Sequence, residues 1–210
     1  MFVTEEMVLM LMKFVLATAN PGKVKEMREI LSELGIDVVT RDHLGIDIDI
    51  KETGTTFLEN AELKAEAICA ASKMPAIADD SGLVVEALGG EPGVYSSTYG
   101  GEGLTSKKRC KYLLDKMKGI ELRGAKFVCT IVCVFPDGCR ITATGESAGS
   151  ISTEIRGICG FGYDPVFIPY GREKTMAELS SVEKNATSHR GIALRSFSKK
   201  LKSYKAGTYV

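Results

Sequence analysis

The chain has few features that point to a zinc site or to disulfide bridges. Its 210 residues include only two histidines, His43 and His189, and none of its six cysteines forms a Cys-x-x-Cys pair. A zinc site is therefore poorly supported. Cys129 and Cys133 lie at an even spacing in an apolar, strand-like run, which predicts two small buried side chains on one face. No secretory signal is visible, so we expect reduced thiols and a cytoplasmic protein.

The chain also lacks net charge and long apolar runs. Basic and acidic residues number 27 each, so no overall field attracts nucleic acid or a membrane surface, and we expect neither partner. The apolar stretch Met7 to Leu16 is too short for a membrane span and is interrupted by Lys13. We interpret residues 1–11 as an N-terminal extension and residues 12–210 as one domain. An additional ordered strand or helix is the alternative for the first segment.

No internal repeat, low-complexity tract or linker divides the chain. Its hydrophobic periodicities and turn signals predict a mixed α/β fold with one continuous sheet. The predicted strands are 12–16, 36–40, 76–78, a hairpin of 125–135 and 140–150, and 165–168; the predicted helices are about 24–34, 56–72, 106–117 and 190–204. Thr175 and Glu178 form a capping-box pattern that predicts a further short helix.

Four short polar clusters stand at the edges of the apolar runs. The first, residues 18–23, links a strand to a helix, where free backbone N–H groups and the helix dipole favour a phosphate. Lys23 adds a mobile ammonium. This is no Walker P-loop, because Ala17 stands where the first glycine is required and Val24 replaces Ser/Thr. A plain turn with a solvated lysine is the alternative.

The second cluster contains Asp79 and Asp80, which follow the predicted strand 76–78. Apolar flanks predict that both are buried, which is costly unless a cation or hydrogen-bond donors compensate. Mg²⁺ suits such carboxylates and leaves positions for water and phosphate. A surface turn is the alternative. Glu52 lies in a polar loop before a helix whose i, i+4 spacing puts Asn60 and Lys64 on one face, although an ordinary exposed helix would show the same pattern.

The remaining clusters contribute an aromatic plate and a His-Arg pair. The ring of Phe161 or Tyr163 could stack on a nucleobase, and Asp164 could accept hydrogen bonds; a packed aromatic corner is the alternative. His189 and Arg190 begin the last helix, at an end that favours anions, and Arg190 offers fork geometry. The alternative there is that the cluster serves only to supply Ser188 as a helix N-cap.

These motifs together resemble the inosine triphosphate pyrophosphatase family, also called XTP/dITP diphosphatases. The resemblance runs in order from about Lys13 to Phe197. It is carried by Thr18-x-Asn20-x-x-Lys23, Glu52-Thr53-Gly54, Phe57-x-Glu59-Asn60-Ala61-x-x-Lys64-Ala65, Ala78-Asp79-Asp80-Ser81-Gly82-Leu83, Leu88-Gly89-Gly90-x-Pro92-Gly93, Phe161-Gly162-Tyr163-Asp164-Pro165 and Ser188-His189-Arg190-Gly191.

The resemblance implies an elongated, two-lobed α/β fold with a long mixed central sheet, an active-site cleft between the lobes, and a homodimer. It implies Mg²⁺-dependent hydrolysis of ITP, dITP, XTP and dXTP to the monophosphate and pyrophosphate. Asp80 would be the general base and a metal ligand, with Glu52 as the second metal ligand. The implied phosphate and sugar contacts are Thr18, Ala19, Asn20, Pro21, Gly22, Lys23, Lys64, Ser81 and Lys184, and the implied base-reading residues are Phe161, Gly162, Tyr163, Asp164, His189 and Arg190.

Two other functions remain open at this point. One is a related pyrophosphatase that acts on modified pyrimidine or m7G-type nucleotides. The other is a nucleotide sensor without turnover, which would need the lysine and aromatic contacts but neither Glu52 nor Asp80.

Overall fold

A computed structural model of the protein describes residues 13–205. The interpretation of residues 1–11 as an extension lies outside these residues. The described helices are α1 (Pro21–Glu33), α2 (Phe57–Ser72), α3 (Ser106–Lys116), α4 (Ser181–Thr187) and α5 (His189–Lys205), and the strands are β1 (Phe14–Leu16), β2 (Val38–Thr40), β3 (Ala76–Val85), β4 (Gly124–Val134), β5 (Arg140–Ile151) and β6 (Phe167–Pro169).

The strands form one mixed sheet in the order β2-β1-β3-β4-β5-β6. β1 pairs in parallel with β2, with Phe14 opposite Val38, and in parallel with β3, with Val15 opposite Ala76. β5 and β6 pair antiparallel, with Ile151 opposite Phe167. The predicted α/β class with a mixed central sheet is confirmed.

Local capping explains where several helices begin. Asn20 caps α1, Thr56 and Glu59 form a capping box on α2, and Thr105 caps α3. The predicted box of Thr175 and Glu178 is present but opens only a 3₁₀ turn, Met176–Glu178. Sequence analysis missed α4, although Ser180-x-x-Glu183 carries the same signal for its start.

β3 is longer than the sequence pattern predicts. The sequence suggested a strand that ends at Ala78, with the aspartates in the segment beyond it. Instead Asp79, Asp80, Ser81 and Gly82 are strand residues within the ten-residue β3. The prediction was wrong because polar residues in a strand were taken as its end, whereas here tertiary partners satisfy them, as the site below shows.

The described residues form two compact units. The first comprises 13–80, 130–145 and 193–205, and the second 81–129 and 146–192. In the first unit α2 packs on β1 and β3 through a cluster that includes Val15, Ala61, Ala65, Ile68 and Ala76. In the second unit α3 packs through Leu113 and Met117 against a cluster that includes Phe127, Phe167 and Tyr163.

All six cysteines are free thiols. Cys129 and Cys133 are both fully buried, which confirms the prediction of two small core residues. Among residues 13–205, no helix has the length and hydrophobicity that crossing a membrane requires.

The core of the first unit gives a stability prediction. Ile68 is fully buried on α2, whereas Leu63 on the same helix is partly exposed. Ile68→Ala should lower the free energy of unfolding by about 3 kcal/mol, since it removes packed methyl groups and leaves a cavity. Leu63→Ala is the control and should cost less than about 1 kcal/mol. Urea unfolding measures both, and equal losses would contradict the assigned core.

Candidate active site

The pleat of β3 separates the two neighbouring aspartates. Successive side chains of a strand point to opposite faces of the sheet. Asp80 shares its face with Ala76 and Ala78, which pack against α2. Asp79 lies on the other face, beside Lys23 of α1. Right-handed crossovers from β1 to β2 and from β2 to β3 place α1 and α2 on opposite faces, so each helix brings one lysine to one aspartate.

Asp79 is fully buried, and its Oδ2 atom lies 3.1 Å from Nζ of Lys23, whose side chain is only 14% exposed. The Lys23 ammonium, which was expected to be mobile, is therefore held in place by its ion pair with Asp79. The expectation of free amides at this turn also needs correction. The Asn20 side chain accepts hydrogen bonds from the N–H groups of Gly22 and Lys23, at 2.9 and 3.2 Å.

The other residues of this loop have mixed environments. Thr18 is buried and its hydroxyl accepts a 3.2 Å hydrogen bond from the Asn20 amide. Ala19 and Pro21 are exposed, and Pro21 is the first residue of α1. The loop is therefore already ordered by its own contacts before any ligand is considered.

On the opposite face, Asp80 belongs to a group that we call the carboxylate–lysine cluster: Glu52, Asn60, Lys64 and Asp80. Nζ of Lys64 lies 2.9 Å from Oε2 of Glu52 and 3.4 Å from Oδ1 of Asp80. Asn60 donates a 3.3 Å hydrogen bond to Oδ2 of Asp80. The two predicted metal ligands thus converge on one ammonium group, although they are 28 positions apart in sequence.

The loop that carries Glu52 is held at three points. Arg41 donates hydrogen bonds to the carbonyl oxygens of Ile46 and Ile48, at 3.2 and 2.7 Å. Ile50 packs against the core cluster of this unit. The Gly54 amide donates a 2.8 Å hydrogen bond to Oδ1 of Asn60, and a Cβ at Gly54 would lie only 2.7 Å from that oxygen. Asn60 therefore links this loop to Asp80, and Gly54 has to be glycine for the close approach.

Burial and neighbouring charges shift the pKa values of Asp80 and Lys64 in opposite directions. Burial raises the pKa of Asp80, and the nearby Lys64 and Lys23 only partly offset that effect. Burial alone would lower the pKa of Lys64, but Asp80, Asp79 and Glu52 together raise it, so the ammonium stays charged. A carboxylate with a raised pKa is a better proton acceptor than a solvated aspartate.

The donor set of the cluster fits a hard divalent cation. Glu52 and Asp80 supply carboxylate oxygens around one point of positive charge, which is the arrangement that Mg²⁺ uses. Within residues 13–205, no group of three or more His, Cys, Asp or Glu side chains could hold a metal alone. A cation bound here would therefore take its other ligands from water or from phosphate oxygens.

The second unit contains what we call the aromatic–cation cluster: Phe161, Asp164, Lys184 and Arg190. The Lys184 ammonium forms an ion pair with Asp164 and lies 4.9 Å from the Phe161 ring centre. Oδ2 of Asp164 accepts a 2.7 Å hydrogen bond from the Phe161 amide. A Cβ at Gly160 would lie 2.1 Å from that oxygen, so only glycine fits there.

Arg190 is the largest fully buried side chain among the described residues. Its Nη2 donates a 2.8 Å hydrogen bond to Oγ of Ser81, and its guanidinium carbon lies 5.6 Å from the Phe161 ring centre. The His189 ring stacks on Phe127 at 4.6 Å, nearly parallel. Ser188 accepts a 3.1 Å hydrogen bond from the Gly191 amide, so its capping role is real and coexists with the cluster.

Of the two rings that could stack on a base, Tyr163 is instead packed, as in the alternative of an aromatic corner. The residue is 3% exposed, it packs in the core of the second unit, and its hydroxyl donates a 3.0 Å hydrogen bond to the Ser96 carbonyl. Phe161 is half-buried and is the aromatic side chain of this motif that remains accessible. Gly162, with φ of 62°, lets the chain turn between the two rings.

The structure thus brings Glu52, Lys64 and Asp80 together in one unit, and Ser81, Phe161, Asp164, Lys184 and Arg190 in the other. Sequence analysis left Asn60 and Asp79 out of the predicted site. The i, i+4 relation of Asn60 to Lys64 was a usable signal, because residues so spaced share a helix face. Nothing in the sequence showed that Asp79 would face α1.

The profile of one protein family, described as the Ham1 family, matches residues 14–200. The chain belongs to the Ham1 family. A dITP/XTP pyrophosphatase of Bacillus subtilis is 48% identical over 90% of this chain and 96% of the relative, and one of Aquifex aeolicus is 50% identical over 88% and 94%. The Ham1 protein of Staphylococcus aureus has a similar structure, with a TM-score of 0.81 at 40% identity over 91% of this chain and 99% of that one. The resemblance inferred from the motifs is confirmed.

The Asp79–Lys23 pair gives a prediction about the stability of this Ham1 protein. Asp79→Ala should lower the free energy of unfolding by about 3 kcal/mol, since it leaves a largely buried ammonium without its partner. The double variant with Lys23→Met should recover part of that loss. Asp37→Ala is the control, because Asp37 and its partner Lys13 are both 62% exposed, and it should cost less than about 1 kcal/mol. Urea unfolding of the four proteins would refute the pairing if Asp79→Ala cost no more than the control.

Proposed function

We propose that this protein hydrolyses non-standard purine nucleoside triphosphates, namely ITP, dITP, XTP and dXTP, to the monophosphate and pyrophosphate. The observation that carries the proposal is the convergence of Glu52 and Asp80 on Lys64. The names of the relatives, dITP/XTP pyrophosphatase, support the same activity.

The first unit supplies the groups for the phosphates. A nucleoside triphosphate carries about four negative charges near neutral pH. Lys64 is charged and largely buried, and Lys23 is held on the α1 turn by Asp79. Both ammonium groups have three donors, so each can bind a phosphate oxygen while it keeps its carboxylate partner.

Asp80 is the group that handles the attacking water. Its pKa is raised, chiefly by burial, and Asn60 fixes one of its oxygens, so the carboxylate is oriented. An aspartate is a weak base even then, so most of its contribution is to position the water for in-line attack. Mg²⁺ held by Glu52 and Asp80 would neutralise charge that develops on the leaving pyrophosphate.

The second unit supplies groups for the base. The half-buried Phe161 ring offers a face for stacking. Arg190 has five N–H donors, and a buried donor that faces the six-position carbonyl of hypoxanthine or xanthine would be left unpaired by the amino group of adenine. Lys184 lies over the Phe161 ring, and Asp164 pairs with Lys184 and accepts a hydrogen bond from the Phe161 amide; His189 is a further base-reading candidate. A homodimer stays a prediction from the family resemblance, and a cytoplasmic location stays a prediction from the sequence.

A substrate panel tests the proposal directly. With Mg²⁺ present, dITP and XTP should yield the monophosphate and pyrophosphate, while dATP should react at least about 100-fold more slowly in kcat/KM. Separation of products by chromatography distinguishes this cleavage from release of inorganic phosphate. Turnover of modified pyrimidines alone would favour a different pyrophosphatase, and binding of dITP without turnover would favour a sensor.

Asp80→Asn should reduce kcat for dITP by at least about 100-fold, because the amide can no longer accept the proton of the water. Binding of dITP, measured by calorimetry, should persist. Asp115→Asn is the matched control, since Asp115 is exposed on α3, and it should leave kcat unchanged. An Asp80→Asn enzyme with normal kcat would exclude the role assigned to this carboxylate.

Glu52→Gln should raise the Mg²⁺ concentration for half-maximal activity at least about tenfold, as expected when a metal site loses a charged ligand. Calorimetric titration with Mg²⁺ alone gives a readout that does not depend on turnover. Glu62→Gln on α2 serves as the control. Identical Mg²⁺ dependence in wild type and Glu52→Gln would remove Glu52 from the metal site.

A further inference from the structure

The segment Gly160–Asp164, which we call the aromatic loop, is anchored from its buried side by two donors. The Cys110 thiol on α3 donates a 3.3 Å hydrogen bond to the carbonyl of Gly162. The Tyr163 hydroxyl donates to the carbonyl of Ser96 at 3.0 Å. The Gly162 carbonyl and the Tyr163 side chain lie one and two residues beyond Phe161, so both anchors hold the backbone next to the accessible ring.

Ser96 extends this anchorage to β3. Its hydroxyl accepts a 2.9 Å hydrogen bond from the Leu83 amide and donates a 2.6 Å hydrogen bond to the Gly93 carbonyl. Leu83 is two residues beyond Ser81, which accepts the hydrogen bond from Arg190. The 3₁₀ turn Gly93–Ser97 is therefore the link between the aromatic loop and the strand that holds Arg190.

These contacts close a ring within the second unit. The circuit begins at Ser81, follows β3 to Leu83 and crosses by hydrogen bonds to Ser96 and Tyr163. It returns along the aromatic loop to the side chain of Phe161. From there it passes to Arg190, which donates its hydrogen bond to Ser81. A closed ring of contacts fixes two members more tightly than an open chain does, because neither can move without a break elsewhere. Here the two members are Phe161 and Arg190.

Both anchoring groups stay protonated at physiological pH. Burial raises the pKa of the Cys110 thiol to about 12, and the nearby Asp164 acts in the same direction. Burial likewise raises the pKa of Tyr163. The thiol and the phenol therefore remain hydrogen-bond donors across the pH range in which an enzyme works.

We propose that Tyr163 and Cys110 are positioning residues that set the base selectivity of this protein by fixing the Phe161 ring relative to the Arg190 guanidinium. Neither side chain touches the substrate; both act through the aromatic loop. The inference rests on the proposed function, since it assigns the base to Phe161 and Arg190.

Four variants test the inference. Tyr163→Phe removes only the hydroxyl, Cys110→Ala removes the donor, and Cys110→Ser keeps a donor of similar size. Tyr99→Phe is the matched control, because it deletes a tyrosine hydroxyl in the same unit whose partner is the exposed Glu91. Steady-state kinetics with dITP and dATP give kcat, KM and the selectivity ratio, and thermal unfolding identifies a working temperature at which all variants are folded.

Tyr163→Phe and Cys110→Ala should each raise KM for dITP about fivefold, the effect of one lost hydrogen bond, with kcat changed less than about twofold. The dITP-to-dATP ratio of kcat/KM should fall by a similar factor. Cys110→Ser should restore most of the loss, and Tyr99→Phe should match wild type. Wild-type KM and selectivity in both anchor variants would overturn the inference, as would a loss confined to thermal stability.

A second measurement does not depend on turnover. The Phe161 amide is hydrogen-bonded to Asp164, so its hydrogen–deuterium exchange reports opening of the aromatic loop. Exchange should accelerate in Tyr163→Phe and Cys110→Ala and stay at the wild-type rate in Tyr99→Phe; unchanged exchange in both anchor variants would contradict the inference. If wild type releases no pyrophosphate from any purine nucleotide, the proposed function fails, and calorimetric Kd values for dITP and dATP then replace KM and decide on the anchors.

Discussion

The contact on which the candidate site depends is that of one largely buried ammonium with two carboxylates. Lys64 lies between Glu52 and Asp80, and its own desolvation is offset only because those anions surround it. A buried ion pair of this kind contributes little net stability compared with an apolar core. Its presence is better explained by the proposed chemistry than by folding, since it would keep an acceptor of protons and metal ions close to a donor to phosphate.

The position of that contact follows from a strand that crosses the sheet interior with two aspartates in it. The sequence allowed us to predict the helices on either side, because α1, α2 and α3 show regular apolar spacing and recognisable caps. It did not allow us to predict that β3 continues through Asp79 and Asp80. Whether a polar pair ends a strand depends on lysines from two different helices, and single-sequence patterns carry no information on such distant partners.

The aromatic loop illustrates a second limit of the sequence. Phe161 and Tyr163 are both aromatic and two positions apart, and from the sequence either ring could stack on a base or pack in an aromatic corner. The turn at Gly162 sends them to different environments: Tyr163 into the core, and Phe161 to a half-buried place beside Lys184 and Arg190. A motif identifies the residue types of a site, but the local backbone decides which ring faces a ligand and which supports it from behind.

The lysines of the first unit share an arrangement that bears on how they would bind a charged substrate. Lys23 and Lys64 each have a carboxylate partner in the chain, namely Asp79 and Asp80. Positive and negative charges are thus balanced around these lysines as they are in the whole protein, and a triphosphate would meet carboxylates as well as ammonium groups. Under the proposed function, phosphate would share these ammonium groups while a divalent cation would share the carboxylates. Tight binding in such an arrangement would need both charges at once, since Asp80 and Glu52 weaken the binding of an anion alone and the lysines weaken that of a cation alone.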